Sequence, residues 1–118
     1  MDERAELTPY CHHYHRAAQI VAQRWMPEIL RALLAGKTRF SEFTAAIPGL
    51  SDRLLSERLK ALEGDGLVTR EVVPETPVRI EYRLTEKGRG LASVVGELAQ
   101  WAERWVTIEE IERAPSAR

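Results

Sequence analysis

Cysteine is almost missing from this chain. Cys11 is its only thiol, which excludes a disulfide within one molecule but leaves open a bond between two copies. Aromatic residues are scarce, at 7% of 118 positions, whereas aliphatic and charged residues are plentiful; that balance fits a helix-rich soluble protein. No apolar run approaches the roughly 20 residues that span a bilayer. The opening Met1-Asp2-Glu3-Arg4-Ala5-Glu6 is acidic and polar, unlike a secretory leader, so the expected compartment is the cytoplasm. No residues are arranged as a hydrolase triad, and Gly88 and Gly90 follow Thr85-Glu86-Lys87 without the pattern of a phosphate-cradling loop. Neither enzymatic activity nor a cofactor is expected. Charge of one sign is also lacking, because 17 Lys and Arg oppose 18 Asp and Glu to leave −1.

The distribution of charge says more than its sum. From Arg16 to Lys60 the eight bases Arg16, Arg24, Arg31, Lys37, Arg39, Arg53, Arg58 and Lys60 outnumber the four acids Glu28, Glu42, Asp52 and Glu57 by +4. From Gly90 onward five acids against three arginines leave −2. A chain of this length forms one domain with a small core of its own.

The pattern of elements is the strongest signal. His12 to Gln23 reads as a first helix, with Tyr14, Ala17, Ala18 and Val21 on one face. Pro27 suits the first turn of a second helix whose stripe is Ile29, Leu30, Leu33 and Leu34, ended by Gly36. Thr38-Arg39-Phe40 reads as a short strand completing a three-stranded sheet. Ser41 to Ile47 is a third helix, stopped by Pro48-Gly49. Ser51 caps a fourth helix that reaches Asp65 before Gly66. Leu67–Val73 and Arg79–Leu84 read as paired strands around Pro74-Glu75-Thr76-Pro77, the second alternating Ile80, Tyr82, Leu84 against Arg79, Glu81, Arg83. Thr85 caps a last helix striped by Leu91, Val94, Val95, Leu98, Trp101 and Trp105. Helix, sharp turn, helix and hairpin make a winged helix-turn-helix: mainly α with a small β wing, a plan that sets one helix into a DNA major groove.

At 100° per residue the fourth helix buries Leu55, Leu59 and Leu62 and turns Arg53, Ser56, Glu57 and Lys60 outward. With Ser51 and Asp52 at its start, that face holds donors for base edges and phosphates; Arg suits guanine O6 and N7, and Lys neutralises phosphate. Arg39 joins the same basic region. Arg58 falls inside the apolar arc, so its expected work is structural, pairing with a carboxylate or tying helices together. Arg79, beside the wing tip, can clamp phosphate or enter the minor groove, or else form an ion pair with Glu71 or Glu75.

A domain this small cannot easily cover both the Tyr10/Tyr14 face and the last helix's stripe, so a symmetric dimer through the first and last helices is expected. The expected interface is Tyr10, Tyr14, Leu91, Val94, Val95, Leu98, Trp101 and Trp105. Cys11-His12-His13-Tyr14-His15 is the one chemically loaded patch. A nearby imidazolium or helix N-terminus favours a reactive thiolate at Cys11. Cys11 with two histidines could instead bind zinc, although contiguous ligands lack the separated pairs of structural zinc sites. The plain alternative is a polar helix start with no chemistry. The layout expected is an N-terminal arm over 1–10, the domain over 11–112 and a disordered tail over 113–118.

From Cys11 to Trp105 the chain resembles the HxlR-type winged helix regulators, relatives of the MarR-like group. The landmarks are Arg24-Trp25, Ile29-Leu30-Arg31-Ala32-Leu33-Leu34, Arg39-Phe40-Ser41-Glu42-Phe43 and Ile47-Pro48-Gly49-Leu50-Ser51. They continue through Arg53-Leu54-Leu55-Ser56-Glu57-Arg58-Leu59, Leu62-Glu63-Gly64-Asp65-Gly66-Leu67-Val68, Val78-Arg79-Ile80-Glu81-Tyr82 and Leu84-Thr85-Glu86-Lys87-Gly88. The resemblance implies a homodimeric DNA-binding transcriptional regulator of bacterial type; on operator DNA repression is the expected output, with activation equally compatible with the residues. It also implies contacts between copies through the first and last helices, and for some members sensing of oxidants, aldehydes or quinones through an N-terminal cysteine. Cys11 is the candidate here. It stands a residue earlier relative to Arg24-Trp25 than the family pattern, and Ala22-Gln23 replace the usual glycines. A winged helix used only for protein contacts is the alternative function.

Overall fold

The computed structural model describes residues 9–114. Six helices and one hairpin follow in the order α1 (His12–Val21), α2 (Met26–Leu34), α3 (Phe40–Ala46), α4 (Asp52–Gly64), β1 (Val68–Val73), β2 (Arg79–Leu84), α5 (Glu86–Trp105) and α6 (Ile108–Arg113). The strands pair antiparallel, from Val68 opposite Leu84 to Val73 opposite Arg79. This is the winged helix-turn-helix expected from the sequence.

The core sits where α2, α3 and α4 meet. Met26, Ile29, Leu30, Phe43, Leu55, Leu59 and Leu62 are essentially sealed from solvent there, and Leu67 and Val68 continue it to the foot of the wing. Each such side chain contributes about 1.5–3 kcal/mol relative to exposure. Local chemistry sets the helix ends. Ser51 Oγ accepts the Leu54 N–H at 3.1 Å and starts α4, and Gly66 at φ 75° ends it in a conformation other residues resist. Thr85 Oγ1 accepts the Gly88 N–H at 3.0 Å and starts α5.

The short strand expected at Thr38-Arg39-Phe40 does not form. Arg39 becomes the cap of α3 and Phe40 its first residue, leaving one ladder-like bond from the Tyr82 N–H to the Thr38 carbonyl at 2.8 Å. The competitor is Glu42, whose Oε1 accepts the backbone N–H groups of both Thr38 and Arg39 at 2.9 Å. Those backbone bonds, Thr38's first, hold the Glu42 carboxyl below its ordinary range. The donors a third strand would use are thereby spent on a helix start.

Further differences lie at the C-terminal end. The last helix breaks at Val106, and α6 follows, started by Thr107 Oγ1 accepting the Glu110 N–H at 3.1 Å. Thr107 with Glu110 is the sequence signal that marks this start. Arg113, expected in a disordered tail, closes α6, and 115–118 lie outside the described residues, as do 1–8 of the expected N-terminal arm. On the stripe of α5, Val95 packs inside the chain's own core and Leu91 leans on that core from its edge. Val95 is therefore withdrawn from the expected interface: it faces α2 rather than solvent.

Candidate DNA interface

With Leu55, Leu59 and Leu62 fixing the inner face of α4, Ser51, Asp52, Arg53, Ser56, Glu57 and Lys60 are all exposed on the outer one. Arg53 is the most open: its side chain is 89% accessible and its Nε lies 3.7 Å from Glu57 Oε1, a loose contact that leaves the guanidinium free to reorient. Lys60 has no ion pair among the described residues, and Ser51 keeps its O–H as a donor while its oxygen caps the helix.

The pose of α4 is held from behind. Arg58 Nε donates to the Arg24 carbonyl at 2.9 Å, tying the helix to the turn between α1 and α2, the structural role expected of it. The same turn carries Trp25 at φ 68°, a left-handed conformation that costs a non-glycine residue on the order of 1 kcal/mol. The strain is matched by a contact: the Trp25 ring lies 3.5 Å from where a Cβ would stand at Gly49, in the turn between α3 and α4. One bent segment thus braces both the helix and the turn before it.

The wing carries a run of alternating charge. Arg79 Nη1 lies 2.8 Å from Glu75 Oε2 and its Nε 2.8 Å from Glu81 Oε2, although the Nε–H is not aimed at that oxygen. Arg83 Nη2 donates to Glu81 Oε1 at 2.6 Å, and Arg83 Nε is 3.9 Å from Glu71. Glu81 is 9% exposed, the most enclosed residue of β2, and the Arg83 hydrogen bond foremost holds its carboxyl below the usual range. The alternation of β2 therefore buries a clamped carboxylate more deeply than Ile80 or Tyr82. Of the two expected readings of Arg79, the described geometry contains the ion pair, made with Glu75 and with same-strand Glu81 rather than Glu71. An open cleft of about 700 Å³ separates this wing tip from the start of α3; Arg39 and Ser41 line one wall, Thr76 and Arg79 the other. Arg70, exposed on β1 without an ion pair among the described residues, was not legible in the sequence, because β1 lacks the alternation that marks β2.

At the other functional patch, Cys11 is exposed and is the N-cap residue of α1, its carbonyl accepting the His15 N–H at 2.9 Å while its thiol makes no cap bond. The histidine rings gather on Tyr10 instead: His12 meets it edge-on at 5.0 Å and His15 at 5.4 Å. Among the described residues no three His, Cys, Asp or Glu side chains converge as a metal site. Ile20 is the only buried residue of α1, whose exposed end is fastened by Arg16 to Asp65 at 3.1 Å. Tyr10, Tyr14, Val94, Leu98, Trp101 and Trp105 are each more than half exposed, and α6 adds Ile108 and Ile111. Between α1 and α5 lies an apolar cleft of about 300 Å³ lined by Ala17, Ile20, Leu67, Leu91 and Val94. Among the described residues no helix is long and apolar enough to cross a membrane.

Comparison with known proteins agrees with this geometry. YvaP of Bacillus subtilis, described as an uncharacterized HTH-type transcriptional regulator, is 53% identical over 96 residues, covering 81% of this chain and 89% of that one. The HTH-type transcriptional regulator YodB of the same organism is 42% identical over 95 residues, 80% of this chain and 85% of its own. The reduced form of YodB superposes with a TM-score of 0.71 at 41% identity over 82% of this chain and 95% of that one; diamide-treated and quinone-bound forms of YodB match as well. The redox regulator HypR, in its reduced form, gives a TM-score of 0.75 at 32% identity over 84% and 98%. The HxlR-like helix-turn-helix profile matches residues 20–110, which contain every element from α2 to the start of α6. The chain belongs to the HxlR-like helix-turn-helix family of DNA-binding transcriptional regulators.

Proposed function

We propose that this protein is a cytoplasmic homodimeric repressor that reads operator DNA with α4 and answers an oxidant or electrophile through Cys11. The observation that carries the reading is a pairing of two surfaces. One is a helix face of exposed polar side chains, Arg53, Ser56 and Lys60, backed by sealed leucines. The other is an apolar stripe along α1, α5 and α6 that the chain's own core leaves uncovered. A second copy covers the stripe and, by symmetry, supplies a second reading helix about one DNA turn, roughly 34 Å, away. In this reading Arg53 and Ser56 contact bases, while Ser51, Lys60, Arg39 and Arg79 hold phosphate, and Asp52 sits at the groove edge.

Selection of bound duplexes from a random-sequence pool tests the reading. The expected product is a two-fold symmetric site bound with a steep salt dependence. Unselective, salt-indifferent retention would mark the fold as a protein-contact module. On the selected site, Arg53→Ala is expected to weaken binding by about 1–3 kcal/mol and to relax preference at one base pair in each half. An unchanged titration removes Arg53 from the base contacts.

Cys11 supports the regulatory half. It is the sole thiol, solvent-exposed and placed at the start of the helix that borders the uncovered stripe. YodB, similar over most of this chain, has solved structures in a diamide-treated and a quinone-bound form. Modification at Cys11, or a small apolar ligand in the cleft between α1 and α5, shifts the spacing of the two reading helices. Diamide is expected to lower operator affinity on the order of tenfold in the native protein and to leave Cys11→Ser unaffected. An equal response in both would clear the cysteine of any part.

A further inference from the structure

The wing arginine has a guanidinium in the right place for DNA, yet two carboxylates already hold it. Arg79 is 31% exposed, with Glu75 and Glu81 each at 2.8 Å. These two acids are not equivalent. Glu81 is enclosed, 11% exposed at its side chain, and shared with Arg83 at 2.6 Å, so it is fixed in the wing. Glu75 is 48% exposed on the tip itself, faces the open cleft and touches no other cation among the described residues. Its carboxylate therefore meets Arg79 much as a phosphate oxygen would: two oxygens, one negative charge, approached from the cleft side.

The cleft completes the picture. Its far wall is built by Arg39, exposed at the cap of α3, and by Ser41, so a group lying between the walls has an arginine and a hydroxyl-bearing residue on each side, Arg39 and Ser41 facing Arg79 and Thr76. Glu75 is the one acid on the lining. We propose that this cleft is a seat for one DNA phosphodiester, and that Glu75 is its internal competitor: the carboxylate holds Arg79 until a backbone phosphate takes its place. The inference rests on the DNA-binding reading and deepens it by naming the gate. Physically, the exchange trades one charge-assisted contact for another, so a phosphate gains little from it unless docking of α4 already holds that phosphate at the tip. It withholds the wing cation from polyanions that reach the tip without also docking α4. Glu75 is thereby a discrimination residue, set against loose phosphate contact.

A charge-neutralisation cycle on a mixed-sequence 40-base-pair duplex tests this, with binding constants measured over a range of salt. Glu75→Gln is expected to tighten binding several-fold at fixed salt and to steepen the log–log salt slope by about one counterion per bound protomer, the signature of one added phosphate contact. Glu75→Gln placed on Arg79→Gln is expected to do neither. Glu71→Gln removes the same charge from the same wing without freeing Arg79, and is expected to leave the slope unchanged. If Glu75→Gln tightens binding equally with and without Arg79, or no more than Glu71→Gln does, the acid acts only through bulk charge and the gate is refuted. If the native protein binds the duplex while Glu75→Gln changes nothing, the gate fails alone. If the native protein binds neither this duplex nor any selected one, the DNA-binding reading fails and takes the gate with it.

Discussion

Gly88→Ala is expected to destabilise the fold by about 3 kcal/mol and to lower the melting temperature on the order of 10 °C. Helix propensity alone argues for the opposite sign, since alanine improves on glycine by about 1 kcal/mol in a helix interior. Space decides against propensity here. A Cβ at Gly88 would stand 1.9 Å from the Leu67 carbonyl oxygen and 2.9 Å from its carbon, both backbone atoms. That backbone cannot retreat cheaply. Thr85 N–H donates to the same Leu67 oxygen at 3.0 Å, Thr85 Oγ1 donates to the Gly66 oxygen at 2.7 Å, and Lys87 Nζ to that of Asp65 at 2.7 Å. Moving α5 away to admit one methyl group strains all three bonds and lifts the helix from the foot of the wing. Gly90, two residues on with nothing within 4 Å of its Cβ position, is the control. Gly90→Ala is expected to be neutral or to stabilise by up to about 1 kcal/mol. Thermal unfolding followed by circular dichroism separates the two, and equal melting temperatures would show that the packing of α5 on the turn is looser than described.

That close approach was not legible in the sequence, and the reason is general. Spacing along one chain segment fixes which face of a helix is apolar, so the leucines of α4, the caps at Ser51 and Thr85 and the bounds of β2 could all be read directly. Contacts between segments depend on the full arrangement. The sequence placed Thr38-Arg39-Phe40 in a strand because a carboxylate reaching back from Glu42 leaves no periodic trace. It counted Val95 with the exposed stripe because a 20-residue helix carries two apolar faces, one for α2 and one for solvent, and their positions interleave. Site residues divide in the same way. The outer face of α4 follows from local geometry and was found by angle. The status of Arg79 depends on whether Glu75 folds over it, which a turn bounded by two prolines does not reveal by composition. Arg58 was legible by elimination, a charge inside an apolar arc, but its acceptor, the Arg24 carbonyl 34 positions away, was not.

Leu98→Glu is expected to leave the protomer folded while abolishing self-association and lowering operator affinity by about 10²-fold or more. Leu98 is 51% exposed, flanked on the same stripe by Val94 at 56% and by Trp101 and Trp105 at 57% each. Ile108 and Ile111 extend the surface beyond the end of α5. An exposed run of this kind, on the side of α5 that its core residues Ala92 and Val95 do not occupy and on α6, which buries no residue, fits the proposed interface between copies. Within the protomer a carboxylate at position 98 stays half in solvent, at the rim of a shallow cleft that it shares with Val95 and with Glu28 and Arg31 of α2, so it costs the fold little. Across a two-fold axis it meets apolar surface and, by symmetry, the second copy's carboxylate, so its cost falls on association alone. Operator affinity follows because two linked reading helices bind two half-sites far more tightly than one helix binds one, commonly by 10² to 10⁴. Size-exclusion chromatography is expected to show the single-chain mass with a native-like helical spectrum, and Leu98→Met, similar in volume and still apolar, is expected to remain associated. If Leu98→Glu elutes with the native protein and keeps its operator affinity, the stripe is not where two copies meet, and the spacing of the two α4 helices must be set by another surface.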